Sequence, residues 1–387
     1  MKITQLPILL FTITLFYSCI NNKSNKNDLI PKTYKVSKSF IPINKAPGIE
    51  YNTYNNITQN QYKFTNTSSK QEVSILHHLD ETGFHFYQGL KFKNNNLGVI
   101  VGGTRLRARI TLNGGKNWKE ISFSRFANSF QSIDFSGNNI FIVGASNYIY
   151  KSEDFGKNWS VFDTKYFFKE NQSRYQKFKY YKIRFLTEKI GFIIGEHEHH
   201  SVILKTIDRG ETWKIIKNNN LPKNEKGISD IAIISADELI ITTLSGKCYK
   251  SIDGGVNWQL LYSEENTTLS SIAFFNSRTG FIGGSNNVLM YTNDSGKTWK
   301  KIHMPYGEIS DIVIHEDNAF ITTSFQALDE AKSFIFKIDS KGTNTPLPFL
   351  TKKDDSVFFE ANSYAIQTLN NHIYILDKNN LYRTIIN

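Results

Sequence analysis

The sequence predicts an all-β chain closed into a ring of seven blades, a β-propeller, and three observations carry that prediction. An eight-residue phrase recurs five times, at residues 111–118, 152–159, 206–213, 251–258 and 292–299. All five tryptophans of the chain end a copy, and they are separated by 41, 54, 45 and 41 residues. Short apolar or β-branched runs flank the copies, such as Val202-Ile-Leu204 before one and Leu260-Leu261 after another. A period of roughly 40–50 residues holding about four short strands is the spacing of propeller blades.

The phrase reads Ser/Thr-x-Asp-x-Gly-x-Thr/Asn-Trp, and each position has a local task. The carboxylate of Asp154, Asp208, Asp253 or Asp294 is expected to accept backbone N–H groups about two residues on and so close a turn. Asn113 stands in for it in the first copy, weakening that turn while keeping an acceptor. The glycine supplies the positive φ of a tight turn. Trp118, Trp159, Trp213, Trp258 and Trp299 open the next strand with a large apolar plate. Each unit is therefore a β-hairpin joining the third and fourth strands of a blade.

The phrase resembles the Asp-box, or BNR repeat, of sialidases, sortilin-type receptors and photosystem II assembly-factor propellers. Gly280-Phe-Ile-Gly-Gly284 and Gly191-Phe-Ile-Ile-Gly195, each a short distance before a box, are similar to the blade wording of the assembly-factor family. That likeness covers residues 84–305 or so, and it implies a ligand-binding or scaffold role with no photosynthetic host attached.

Inner strands are marked by Leu90, Ile133, Ile183, Ile231, Ile272 and Ile312, with a last unit from residue 363. The count is seven, with six or eight as alternatives. Residues 338–342 keep a box remnant, Ile-Asp-Ser-Lys-Gly, without its tryptophan. The last unit supplies about three strands, and an open sheet edge invites pairing. Glu72-Val-Ser-Ile-Leu76 is the stretch expected to complete it, which assigns residues 63–387 to the propeller.

Residues 1–18 read as a signal peptide: Lys2 precedes an apolar run over 6–17 that is short for a membrane span. The run stops at Leu15-Phe-Tyr-Ser-Cys19, which resembles a bacterial lipoprotein signal with Cys19 as the lipidated residue. Residues 19–62, rich in Asn, Lys, Pro and Thr, read as a flexible tether. These features place the protein, as an expectation, at the bacterial envelope, facing the periplasm or the outer membrane. Cys248 is the second of two cysteines, so acylation of Cys19 leaves no intrachain disulfide, and a buried small hydrophobe is expected there. The formal charge is +11, but only nine of the 46 basic residues are arginines and the lysines are scattered. A solvated lysine-coated surface is expected, not a nucleic-acid face.

Box turns occupy one face of a propeller. Loops between strands two and three, and between blades, lie on the other, where the resemblance implies ligands bind. Three features fall there. The connection after Trp159 holds Arg174, Tyr175 and Lys177 among aromatics, which suits an anionic, carbohydrate or protein partner. Glu196-His-Glu-His-His200 puts His197 and His199 on one side of an extended strand, too few ligands for a metal site. Arg105, Arg107 and Arg109 alternate onto one side as a carboxylate or phosphate clamp. Lys91, Asp134 and Arg184 sit at equivalent inner-strand positions and should form a charge ladder between blades, structural glue as readily as a site, with Arg184 counted among the candidates for the binding face.

No Ser/His/Asp elbow, phosphate loop or zinc-protease helix is present, and no cofactor or metal is expected. The enzyme alternative is a sialidase-like glycosidase, or a carbohydrate-binding propeller. Sialidase chemistry needs an arginine triad, an acid/base aspartate and a Tyr–Glu pair, yet no Arg-Ile-Pro motif occurs, and Arg105, Arg184 and Arg278 make an uneven triad. The expectation is a monomeric, non-enzymatic envelope lipoprotein, held to the membrane through Cys19, that binds a protein or glycan on the loop face opposite the boxes.

Overall fold

A computed structural model describes residues 41–42, 49–54, 61–65, 70–78, 87–102, 107–123, 129–167, 178–197, 200–218, 221, 227–304, 308–326, 331–342, 347–348, 359–360, 365–376 and 380–386. Its strands form seven antiparallel sheets of four or five strands each, and these are the blades of the propeller. The alternatives of six and eight blades are thereby removed. Within blades 1 to 5 the order is simple up-and-down. Blade 3, for example, runs Phe178–Phe185, Gly191–His197, His200–Thr206 and Lys214–Ile215.

Blade 7 takes three strands from the C-terminal end, Ala365–Leu369, His372–Leu376 and Asn380–Ile385, and its fourth, Lys70–His78, from the N-terminal side. First and last parts of the chain thus share one sheet. Further strands lie on outer edges: Gln61–Thr65 on blade 7, Ile49–Tyr54 on blade 1 and Ile41–Pro42 on blade 2. The last two belong to the stretch read from composition as a tether. Ile-Glu-Tyr-Asn-Thr-Tyr is rich in strand formers, and the outer edge of a blade offers unpaired backbone groups to pair with. Cys19 lies outside the described residues.

The boxes are more tightly bonded than the turn expected from sequence. The first-position hydroxyl, not the aspartate, accepts the glycine N–H, at 2.8–2.9 Å in all five copies. The third-position side chain reaches four residues on, to the seventh-position N–H, at 2.7–3.0 Å. The box glycines carry φ of 79–97°, the left-handed region that favours glycine. At Gly156 a Cβ would also stand 2.1 Å from Ile110 Cδ1 of the preceding blade. Three box indoles donate Nε1–H to their own glycine carbonyl, those of Trp118, Trp159 and Trp258, at 2.8–3.2 Å. The rings are wedged between blades: Trp159 meets Phe123 of blade 1 edge-on at 5.2 Å, and Trp213 meets Phe141 of blade 2 at 6.3 Å. Cys248 is fully buried, and burial pushes its thiol pKa well up, as expected of a small hydrophobe.

A second regularity explains the Gly-Phe-Ile-x-Gly wording. Blades 1 to 6 each carry a register shift where the inner strand begins. In three of them a glycine at or near the end of the second strand lies against the backbone there. A Cβ on Gly144, Gly195 or Gly284 would come within 1.8–2.1 Å of the carbonyl oxygen of Ser129, Lys179 or Thr268. Only glycine lets the two backbones approach so closely, and the bulge it permits re-aims one residue per blade at the loop face.

Candidate functional site

The inner strands surround a cavity of about 430 Å³ at the centre of the ring. Aligned on the core residue Leu90, Ile133, Ile183, Ile231, Ile272, Ile312 or Ile366, the preceding position reads Gly89, Ser132, Lys182, Asp230, Ser271, Asp311, Ala365. The following position reads Lys91, Asp134, Arg184, Ala232, Ala273, Val313, Gln367. Side chains at these positions stitch each blade to the next by gripping inner-strand N–H groups or opposite charges.

From blade 1 to 2 the stitch is Lys91 to Asp134 at 3.4 Å. From 2 to 3, Ser132 accepts Ile183 N–H at 3.2 Å and Asp134 accepts Phe185 N–H at 2.8 Å. Arg184 donates to Asp230 at 2.9 Å across the next boundary. Asp230 then accepts Ile272 N–H, Ser271 accepts Ile312 N–H, and Asp311 accepts Ile366 N–H, at 3.0–3.3 Å. Gln367 closes the circle on Phe92 of blade 1. The charge ladder expected through Lys91, Asp134 and Arg184 is there, but it continues through Asp230 and Asp311, one pleat away. Sequence reading missed these two. Their signal was Ile228-Ser-Asp-Ile231 repeated as Ile309-Ser-Asp-Ile312.

Arg184 is the electrostatic centre of the cavity. Asp230 above all, with Asp311 and Asp134, raises its pKa, outweighing the opposing effect of burial. Burial pushes Asp230 upward, but Arg184, Lys182 and the hydrogen bonds prevail and hold its carboxyl below the ordinary value. All three cavity carboxylates thus serve as acceptors for neighbouring strands.

The bulged residues set the character of the rim. In blades 4 and 5 they are Ser229 and Ser270, whose hydroxyls reach the carbonyls of Leu269 and Ile309 at 2.5 Å, and in blade 6 it is Ser310, bonded to its own sheet. Blades 1 to 3 carry larger side chains there, Gln88, Gln131 and Tyr181. Gln88 Oε1 is buried without a hydrogen-bond partner. Tyr181 is hydrogen-bonded to Glu196, and burial first, then that carboxylate, raises its phenol pKa. Glu196 also accepts Lys179 Nζ at 2.8 Å, and Gly227 of blade 4 leaves room for both, since its Cβ would lie 3.0 Å from the Tyr181 ring.

Other candidates resolve differently. Arg107 and Arg109 do hold a carboxylate, but it is the chain's own Glu120, at 3.1 Å from each. His197 is buried and stacks on Phe178 with ring centroids 4.3 Å apart, and it pairs across the hairpin with His200, so the expected strand alternation ends there. No group of three or more metal-binding side chains occurs among the described residues. Arg278 lies on the box face, where its carbonyl accepts Ser295 N–H of the fifth box at 2.9 Å. It therefore stands away from Arg184. Arg105, Arg174, Tyr175, Lys177 and His199 lie outside the described residues.

Comparison with known proteins agrees with this architecture. Residues 79–166 match the family model described as photosynthesis system II assembly factor YCF48. None of the curated proteins matches the chain. A solved structure described as YCF48 bound to D1 peptide superposes with a TM-score of 0.60 at 14% identity, covering 80% of this chain and 97% of that one. YCF48 from Cyanidioschyzon merolae gives 0.57 at 16% identity, covering 80% and 98%. The WD40 propeller domain of Doa1 gives 0.56 at 9% identity, covering 81% and 96%, so the likeness in shape extends to a WD40 propeller. The recurring box, the seven blades and the family match together make this chain a BNR-repeat β-propeller resembling the photosystem II assembly factor.

Proposed function

We propose that the protein is a non-enzymatic scaffold of the bacterial envelope, anchored by lipid on Cys19, that holds a protein partner on the rim of blades 1 to 3. One observation carries the reading: the rim is asymmetric. The bulged serines of blades 4 and 5 bond the neighbouring blade and that of blade 6 bonds its own sheet, whereas blades 1 to 3 carry the larger Gln88, Gln131 and Tyr181 there. Amides and a phenol held at fixed bulges suit backbone and side-chain recognition of a partner segment. A propeller of the same architecture has been solved with a peptide bound, which supports a peptide segment as the recognised element.

Affinity capture with the membrane-tethered protein tests this reading. A specific envelope protein should be recovered by wild type and lost when residues 168–177 are replaced by Gly/Ser, which leaves the inner strand Phe178–Phe185 in place. Equal recovery by both would sink it. Cys19→Ala should move the protein from the membrane to the soluble fraction.

The Tyr181–Glu196 pair favours a second reading, a glycosidase using a tyrosine nucleophile. Against it, Arg184 is held by carboxylates and Arg278 lies on the opposite face. Hydrolysis of any member of a sialoside panel, abolished by Tyr181→Phe, would establish the enzyme reading and displace the scaffold.

A further inference from the structure

The box face carries a groove of about 350 Å³ between blades 1 and 2, on the opposite side of the ring from the rim. Leu112 and Phe155, from the first and second boxes, line it together with Lys93, Asn94, Asn96 and Asn138. Leu112 is 56% and Phe155 39% exposed. Exposure alone decides little, because Ile207 and Ile252 hold the place of Leu112 in the third and fourth boxes and are exposed as well.

Phe155 is the feature that the fold leaves unexplained. It occupies the fourth box position, where the backbone is left-handed in every copy, with φ of 71, 59, 67, 72 and 67° at Gly114, Phe155, Arg209, Gly254 and Ser295. A bulky aromatic is the least suited of these residues to that conformation, and two copies use glycine. Burial offsets that strain only in part, since the residue keeps 39% of its surface open to solvent at the groove. Strained backbone at an exposed side chain points towards function.

The polar side of the groove is fixed in advance. Asn94 Oδ1 accepts the N–H groups of Asn96 and Leu97 at 2.9 and 2.8 Å, which orients its amide and keeps its NH2 for donation. Lys93 Nζ donates to Gly137 O at 2.5 Å and to Asn138 Oδ1 at 2.6 Å, so the one cation is tethered. An aromatic plate, an aliphatic wall and oriented amides match the two faces of a sugar, whose C–H groups stack on a ring while its hydroxyls pair with amides. Hydrocarbon would gain nothing from three asparagines. A protein partner needs about 800 Å² of surface per side, whereas this concave volume sits at the small end of ligand sites, about 300 Å³ and upward.

We propose that this groove is a carbohydrate-binding site, with a pyranose ring stacked on Phe155 and its hydroxyls bonded to Asn94, Asn96 and Asn138. It is independent of the rim and of whatever partner binds there.

Isothermal titration of the folded protein with cellohexaose, maltohexaose and chitohexaose tests it. Saturable binding of at least one is expected, weakened tenfold or more by Phe155→Gly and by Asn96→Ala. Phe155→Gly installs the residue that two other boxes already carry, so its thermal midpoint should hold or rise, and lost binding cannot be laid to unfolding. Failure of all three sugars to bind, or equal binding by Phe155→Gly, would overturn the proposal. Co-sedimentation with phosphatidylglycerol vesicles, abolished by Phe155→Gly in the absence of sugar binding, would overturn it in favour of a lipid surface.

Discussion

The side-chain amide of Gln367 grips both backbone groups of Phe92, which lies 275 residues earlier in the chain, accepting its N–H at 2.5 Å and donating to its carbonyl at 2.7 Å. It is the last stitch of the ring and joins blade 7 to blade 1, beside the stacked rings of Phe92 and Tyr374 at 4.1 Å. Inner-strand edges have unpaired N–H groups, and a propeller must satisfy them or leave them to water. Here side chains of the preceding blade do so at five of the seven boundaries, and ion pairs join the other two. Gln367→Ala removes two partners at once. A loss of about 1–3 kcal/mol in unfolding free energy is expected, read by urea denaturation. No change in the midpoint would mean that the clasp is ornamental.

Asp230 is fully buried and serves Arg184, Ser271, Ile231 N–H and Ile272 N–H together. Asp230→Ala leaves two backbone donors without their acceptor and takes the nearest carboxylate from the half-buried Arg184, and a loss of about 1–3 kcal/mol is expected. Adding Arg184→Met should recover part of it, because the charge that lost its nearest partner goes too. A double-mutant cycle measures the coupling. Additive effects would show that the pair is not a unit.

The fold was legible because each blade repeats its rules in side chains that only a turn or a wedge requires. Five tryptophans closing five boxes define a spacing, and Gly144, Gly195 and Gly284 mark the close approach at the bulge. The stitching was only half legible. Lys91, Asp134 and Arg184 align on one pleat, but Asp230 and Asp311 act from the neighbouring one. A single-sequence reading cannot see that a bulge shifts which N–H each side chain meets. The outer-edge strands Ile41–Pro42 and Ile49–Tyr54 were hidden for another reason. The six residues Ile49–Tyr54 are rich in strand formers, but they sit in a stretch whose Asn, Lys, Pro and Thr content reads as a tether, and pairing at an outer edge needs no repeat to mark it. Phe155 lay in plain view within the repeat, yet its φ of 59° could be known only from the structure.

The first box offers a gain. Asp154 and Asp253 each use Oδ2 to accept the side-chain amide of the asparagine four residues on, Asn158 at 2.5 Å and Asn257 at 2.7 Å. Asn113 faces Asn117 with a single oxygen, already taken by the Asn117 N–H at 2.9 Å. Asn113→Asp supplies the missing acceptor. A stabilisation of about 0.5–1 kcal/mol at pH 7 is expected from one added hydrogen bond of this kind, and thermal unfolding at pH 7 and pH 3 checks it. The gain should shrink at the lower pH as the new carboxyl protonates. A destabilised variant would show that the first box has adapted to its amide.

Acid should loosen the boxes late, and the carboxyl shifts fix the window. Hydrogen bonds to the Asn257 backbone and side chain hold Asp253 down to about 2, and bonds to Thr298 hold Asp294 to about 2. Asp154 and Asp208 are also lowered, because their turn hydrogen bonds outweigh the burial that opposes them. A carboxyl that binds its proton less tightly when folded stabilises the fold wherever it is ionised. The contribution is therefore complete above the unfolded value of about 3.9 and disappears as pH falls towards about 2, through the folded values. Titration of the side-chain carboxyl carbons by NMR should give midpoints near 2 for Asp253 and Asp294. Asp253→Asn should flatten the acid limb of the stability curve, since the asparagine keeps one acceptor and has no proton to gain. Ordinary midpoints near 4 for both aspartates would show that these two boxes are held by the Ser/Thr hydroxyl and the tryptophan, with the carboxylate a bystander.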